Sequence, residues 1–222
     1  MALHAAEEET IEELKKWWNE NGKRLVLLFI LVFAAYTGWL LLQNSRMSNV
    51  DAASDMYEEI LSLALTDPGV AVSEEDGSRI LSLSEQLRAD HSGSVYALFG
   101  SLFAAQQSVI ANDLNGAESA LQWVLDNRQD GLFNKTDEAL VLTANLRLGR
   151  VILAQGDAER ALALVNFVDP KSFEPGFAEL RGDIYVAMGR VMDAREAYVA
   201  AQEAGSNSDG LRMKLDELRD ES

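Results

Sequence analysis

The 222-residue chain contains no cysteine. Disulfides, thiolate metal sites, cysteine nucleophiles and lipoprotein acylation are thereby excluded, while an oxidising compartment stays compatible with the composition. Only three prolines occur, all outside the periodic apolar runs, which suits an all-helical chain. Histidine is almost as scarce: there are two, His4 and His91. His91 stands in Asp90-His91-Ser92, but adjacent residues cannot form a nucleophile–base–orienter geometry with one another, so His91 reads as a helix-end residue. No Walker A, GxGxxG, EF-hand or zinc-ligand spacing appears. Carboxylate pairs such as Glu58-Glu59 and Asp137-Glu138 read as solvated surface. The chain is therefore expected to be non-catalytic, with no cofactor and no metal.

Basic residues are few: 19 Lys and Arg stand against 36 Asp and Glu, a formal net charge of −17. From residue 43 onward the balance is −15. Neutralising a phosphate backbone needs clustered Lys and Arg, so nucleic-acid binding is excluded as a default. The same balance argues against the domain lying on anionic lipid.

What the sequence does have is one long apolar run. Leu25 to Leu42 carries no charge, Asn, Gln, Pro or His. At about 1.5 Å per residue, eighteen helical residues reach roughly 27 Å, close to the hydrocarbon thickness of a bilayer. Lys23 and Arg24 can snorkel into headgroups at one end, and Tyr36 and Trp39 favour the opposite interface. A cleaved signal peptide has a shorter apolar region and a short basic leader. Here an acidic segment precedes the run, and no small-x-small site follows promptly, so the segment reads as an uncleaved anchor. Lys15, Lys16, Lys23 and Arg24 precede it, while only Arg46 lies in the next eighteen residues. That bias places the N-terminus in the cytoplasm and the C-terminal part across the membrane. The expected organisation is a cytoplasmic tail (1–22), a transmembrane helix (23–43) and a periplasmic helical domain (44–222). Ala34-x-x-x-Gly38 is a small-xxx-small pattern that permits close approach of a membrane helix.

In the tail, Thr10-Ile11-Glu12-Glu13 has capping-box form, so a short amphipathic helix is expected over 10–20, with Asn21-Gly22 as its stop. Beyond the span, Gln43 to Asn49 is polar. Helical periodicity resumes over 52–65 and ends at Asp67-Pro68-Gly69, and 70–78 reads as a linker or short turn. Further helices are expected over 79–89, 94–112 and 117–126, with Asn115-Gly116 as an interruption. A final helix over 209–220 carries Leu211, Leu215 and Leu218 on its inward face and caps the stack.

The segment between repeats itself. Leu148 to Ala161 aligns with Arg181 to Ala194, pairing Gly149 with Gly182, Gly156 with Gly189 and Ala161 with Ala194 at a period of 33 residues. That period, with helix–turn–helix content, marks a helical solenoid. Gly149 and Gly182 would let the two helices of a repeat approach closely. Gly156 and Gly189 sit where the first helix must stop, a position favouring φ > 0. Ala161 and Ala194 keep the crossing point small, with Val165 and Tyr198 filling the neighbouring hole. Upstream, Ala120 takes the analogous place, with Asn115 instead of the turn glycine and a spacing of 41. These offsets resemble the tetratricopeptide repeat, and the unit with Gly182, Tyr185, Gly189, Ala194, Tyr198 and Ala201 resembles it best. The fold class is thus all-α: one N-terminal transmembrane helix followed by a tetratricopeptide-like solenoid.

Span and repeats together resemble the family of ancillary subunits of the bacterial SecYEG translocon. The resemblance rests on Asn19-Glu20-Asn21-Gly22-Lys23, Gly38-Trp39, Ala53-Ser54-x-x-Tyr57, Tyr96-Ala97, Asn145-Leu146-Arg147-Leu148 and Leu180-Arg181-Gly182-Asp183. It implies a single-pass inner-membrane protein with a periplasmic tetratricopeptide-like domain. It also implies two partners, the translocon and a membrane-anchored periplasmic chaperone bearing a prolyl-isomerase-like domain. Tetratricopeptide domains bind partners along their first helices, which nominates Leu146, Arg150 and Leu153, then Glu179, Asp183 and Val186, as a partner groove. For Leu146 and Leu153 the competing reading is burial against the neighbouring helix. The Lys and Asn arrangement that grips a C-terminal carboxylate in chaperone adaptors of the superfamily is missing, which favours apolar or mixed contacts. The other function class left open is a membrane-tethered repeat scaffold for a different envelope or signalling assembly.

The charge bias makes a direct prediction. An export-dependent reporter fused after Ser222 is expected to be active. A signal only from a cytoplasmic reporter would reverse the orientation.

Overall fold

Helix α1 runs without interruption from Ala2 to Ala64, and here the structure departs furthest from the sequence reading. The computed structural model describes residues 2–65, 71–131 and 135–220. It divides into two units, Met1–Asp51 and Ala52–Ser222, each described by itself.

In the first unit, residue 10 lies inside α1 and not at a helix start, and Asn21-Gly22 does not stop the helix. Asn21 Nδ2 instead donates to the Trp17 carbonyl one turn earlier, at 3.3 Å. The Trp18 indole lies over Gly22, where an added Cβ would meet it at 3.2 Å. One glycine costs a helix only about 1 kcal/mol, whereas a second helix would require its own nucleation. Extending an existing helix through Gly22 and the polar 43–49 stretch is therefore favoured over breaking it. Within α1, Lys15–Leu40 is long and apolar enough to cross a membrane, and its apolar window is not buried against protein. That exposure is opposite to what a core helix shows. Thr37 Oγ1 donates back to the Phe33 and Ala34 carbonyls, so its hydroxyl is satisfied within the helix. Ala34 is exposed, and a Cβ added at Gly38 would meet nothing.

In the second unit, α2 spans Glu74–Asp90 and starts five residues before the expected position. Ser73 is its N-cap: its Oγ accepts from the Asp76 amide at 3.1 Å and donates to the Asp76 carboxylate at 2.6 Å. With three acidic residues in the first turn, this end is well matched to the helix dipole. Gly77 belongs to the helix and leaves room for the buried Gln107 side chain, whose Oε1 would stand 3.2 Å from an added Cβ. The expected terminator Asp67-Pro68-Gly69 lies outside the described residues. His91 is the C-cap of α2, its amide donating to the Leu87 carbonyl.

The remaining helices are α3 (Val95–Ile110), α4 (Leu114–Asp126), α5 (Glu138–Ala154), α6 (Ala158–Phe167), α7 (Glu174–Ala187), α8 (Val191–Glu203) and α9 (Asp209–Asp220). A 3-10 turn, Lys171–Phe173, leads into α7. The pairs α3–α4, α5–α6 and α7–α8 share one turn geometry. Asn112, Gly156 and Gly189 have φ of 58°, 88° and 71°. The following amides of Asp113, Asp157 and Arg190 donate five residues back, to the Ser108, Ile152 and Tyr185 carbonyls. This left-handed stop satisfies the last carbonyls of each first helix. Gly205 (φ 107°) repeats it after α8, with the Ser206 amide reaching the Ala201 carbonyl.

The shared geometry corrects the alignment of the upstream unit. Its turn residue is Asn112, not Asn115, and the counterpart of Ala161 and Ala194 is Ala117, not Ala120. All three alanines are fully buried. The Ala117 amide donates to Asp113 as those of Ala161 and Ala194 do to Asp157 and Arg190. Asn tolerates a positive φ better than most side chains, which is why the glycine signal is missing there. The interval lengthens in this unit because a long connection follows Asp126 and leads to Glu138.

Helices pack mainly on neighbours in sequence, with α5 also against α7, and the core falls into three clusters strung along the stack between first and second helices. A Cβ at Gly149 would stand 2.8 Å from Leu180 Cδ2, with Val165 behind it. At Gly182 it would fall within the ring of Tyr198, which is itself buried. Tyr185 is half-buried beside the last turn, and the Arg190 guanidinium lies 4.4 Å from its ring centroid.

These glycines separate two physical costs. Gly182→Val should lower the melting temperature through overpacking, by about 1–3 kcal/mol. Gly189→Ala, where the new Cβ meets open space, should still cost about 1 kcal/mol from its positive φ alone. Thermal unfolding followed by circular dichroism measures both. An unchanged midpoint for Gly182→Val would remove the close helix contact from the account.

Candidate functional site

The first helices of the repeats share one face, and two open cavities lie along it. One, of about 390 Å³, lies between α3, α4 and α5 and is walled by Val109, Ile110, Leu114, Leu121, Val151 and Ala154. The other, of about 410 Å³, is bounded by Tyr57 from the end of α1, by Phe99 and Phe103 from α3, and by Leu140 and Thr143 from α5. Gln106 and Arg147 line both, so the cavities form one groove with these two side chains at the divide.

The aromatic wall is built by spacing. Tyr96, Phe99 and Phe103 recur at i, i+3, i+7 on α3, and their rings gather around Tyr57 with centroids 5.5, 5.9 and 6.3 Å away. Tilted packing of this kind suits the ring quadrupoles. Burial raises the Tyr57 pKa. Arg147 reaches across to α3, where a guanidinium nitrogen lies 3.4 Å from the Leu102 carbonyl. Arg147 is an exposed residue overall, with its guanidinium partly buried at this contact. That partial burial, and then the nearby Arg150, lower the Arg147 pKa.

The nominated groove residues divide into three groups. Leu146 and Leu153 pack on the core as partly buried residues, and Leu146 Cδ2 would stand 2.9 Å from a Cβ at Gly176. Glu179 and Asp183 face α9 and hold Lys214, at 2.8 Å and 2.7 Å. Arg150 and Val186 are exposed, and Arg150 lines the α3–α5 cavity. The structure thus brings Arg150 into the groove and leaves the other five outside its walls. The groove lies one repeat nearer the N-terminus than expected. Tyr57, Phe99, Phe103, Gln106 and Arg147 were missed. The i, i+3, i+7 aromatics of α3 were a usable signal, but a helix rich in apolar residues on most sides does not declare which face stays open.

Helix α9 closes the C-terminal end. Leu211 and Leu218 are buried and Leu215 is partly so, as its periodicity implies. Its polar attachment is the Lys214 ammonium, held by Glu179 and Asp183, while the Tyr198 hydroxyl donates to Asp183 at 2.7 Å. For Lys214, burial opposes the charged form, but hydrogen bonds and charge from Asp183 and Glu179 prevail and its pKa is raised. Tyr198 is also raised, by burial first and then by its bond to Asp183. Both folded pKa values lie above the unfolded ones. The stability they confer is therefore complete below about pH 10, the unfolded range of Tyr and Lys, and is lost as pH rises through the folded values.

Lys214→Met should accordingly leave two carboxylates without their cation and loosen α9, at a cost of about 1–2 kcal/mol after solvent screening. Amide hydrogen exchange over 209–220 should accelerate in the variant near neutral pH. In the parent the protection factor, corrected for the intrinsic rise of exchange with pH, should fall only above about pH 10. Equal protection of α9 in both proteins would show that the leucines alone hold it.

The chain matches the family model for the tetratricopeptide repeat-like domain over residues 15–220. It is 30% identical over 220 residues to an ancillary SecYEG translocon subunit of Haemophilus influenzae, covering 98% of this chain and 100% of that one. Proteins of the same name from Neisseria gonorrhoeae and Escherichia coli are each 30% identical, with 99% and 98% of this chain covered and 100% and 99% of theirs. No solved structure matches the chain significantly. With the match extending from the apolar segment of α1 through the last helix, the chain belongs to the tetratricopeptide repeat-like family and, within it, to that of the ancillary SecYEG translocon subunits.

Proposed function

We propose that the chain is a non-catalytic accessory subunit of a SecYEG-type translocon in the bacterial inner membrane. One span anchors it with the N-terminus in the cytoplasm, and the repeats face the periplasm. There they hold a membrane-anchored chaperone with a prolyl-isomerase-like domain near emerging chains. The observation that carries this reading is the end-to-end similarity to proteins named as translocon subunits, which includes the apolar segment as well as the repeats. The groove supports a binding role, because its walls are apolar and aromatic side chains set on rigid helices.

Two tethers act together in this reading. Confinement to one membrane raises effective concentration, so modest contacts by the span and by the repeats suffice. Full-length protein extracted in mild detergent is expected to bring down translocon subunits and the chaperone. A chimera with Leu25 to Leu42 replaced by an unrelated apolar helix should keep the chaperone and lose most of the translocon. Parental recovery of the translocon by the chimera would reduce the span, with Ala34 and Gly38, to an anchor. Recovery of neither partner by the parent, with the translocon intact, would favour a scaffold of another envelope assembly.

A further inference from the structure

The groove holds a charge arrangement unlike the rest of this acidic domain. Most cations elsewhere lie against carboxylates, as Arg79 does on Glu59, Arg160 on Glu118, Arg190 on Asp193, and Lys214 on Glu179 and Asp183; Arg88 and Arg195 make no ion pair among the described residues, but they stand singly. Arg147 and Arg150 stand one turn apart on α5, both lining the α3–α5 cavity. Among the described residues neither has a carboxylate within ion-pair distance, although acids outnumber bases about two to one. Arg147 makes one long hydrogen bond, to a backbone carbonyl. Like charges at this spacing repel, and a partly buried guanidinium with unused donors loses some of its hydration without compensation. An arriving carboxylate removes both costs, and the guanidinium fork suits it in a bidentate manner.

The surroundings define the rest of the ligand. Largely apolar cavities lie on both sides of Arg147, one walled by Val109, Ile110 and Leu114, the other by Tyr57, Phe99 and Phe103. Asp137, whose carboxylate caps α5 by accepting from the Ala139 amide, also lines the second, so the Arg147–Arg150 side is where a ligand's acid fits. A chain terminus would fill one side only. We propose that this groove captures an internal segment of a partner polypeptide, in which an Asp or Glu flanked by apolar side chains sits on the Arg147–Arg150 pair. The inference rests on the partner-binding reading above and specifies its chemistry. It also accounts for recognition without the Lys and Asn clamp, since the carboxylate comes from a side chain.

The test uses the full chain in lipid nanodiscs and a displayed library of short random segments, each flanked on both sides by constant sequence. Selected segments are expected to be enriched in Asp or Glu beside Leu, Ile, Val or Phe. Changing the acid to its amide in a selected segment, or making Arg147→Gln with Arg150→Gln in the protein, should each weaken binding about tenfold or more. Combining both changes should weaken it little further. Arg150→Gln alone, at an exposed position, serves if the double variant melts early. Segments without an acid, acidic segments that bind the variants as well as the parent, or no enrichment at all would each overturn the proposal. Failure here with intact translocon recovery removes only the groove chemistry. Loss of translocon recovery with intact selection removes only the assigned partner.

Discussion

The closest approach between the two helices of a repeat is the constraint on which this structure depends. At Gly182 the backbone of α7 lies directly against the ring of Tyr198 on α8, whereas Gly149 of α5 lies closest to Leu180 on α7, the first helix of the next repeat, with Val165 of its own partner helix α6 farther off. With second helices seated that tightly, their apolar stripes are used up in the strip between helices. The first helices are left with one face that no later element covers. The groove is a consequence of this geometry, because α3 and α5 must turn some of their side chains outward. Among the described residues the equivalent face is closed at the C-terminal end, by α9 on α7 and α8.

Charge follows the same division. Most cations are held by carboxylates on neighbouring turns or helices, and the surplus of acid faces water. Such pairs on the surface contribute little to stability, so the fold rests on packing and on the left-handed turns. Arg147 and Arg150 are retained in the groove without that compensation. A groove with largely apolar walls, two adjacent cations and the single acid Asp137, in a domain that repels other acidic surfaces at long range, favours partners that present a local carboxylate within an apolar segment.

Much of the repeat architecture was legible in the sequence, and the reasons are specific. Gly156 and Gly189 announced their positive φ because few other residues adopt it at low cost, and Ala161 and Ala194 announced a crossing with no room for a larger side chain. Asn112 hid the same turn, since Asn reaches this conformation while also suiting ordinary loops, and the alignment slipped three residues to Asn115 and Ala120. The early start of α2 was visible in Ser73-x-x-Asp76 but was masked by the acidic run that follows. The continuity of α1 was not visible, because Asn21-Gly22 is a local stop signal that the cooperativity of a long helix overrides. Of the nominated groove residues only Arg150 lines the open cavities. Periodicity shows which residues can share a face, but not which face the next helix will cover, as Glu179 and Asp183 under α9 demonstrate.

The central claim is that the open face of the first helices engages a partner while the chain is anchored beside a translocon. Photo-crosslinking in intact cells tests it most directly, with a photoreactive side chain at Ile110 in the groove or at Met192 on the exposed first turn of α8. The account predicts that Ile110 yields a discrete adduct with a translocon-associated periplasmic protein, identified by mass spectrometry, and that Met192 does not. An adduct of the same protein from Met192 and none from Ile110 would contradict it.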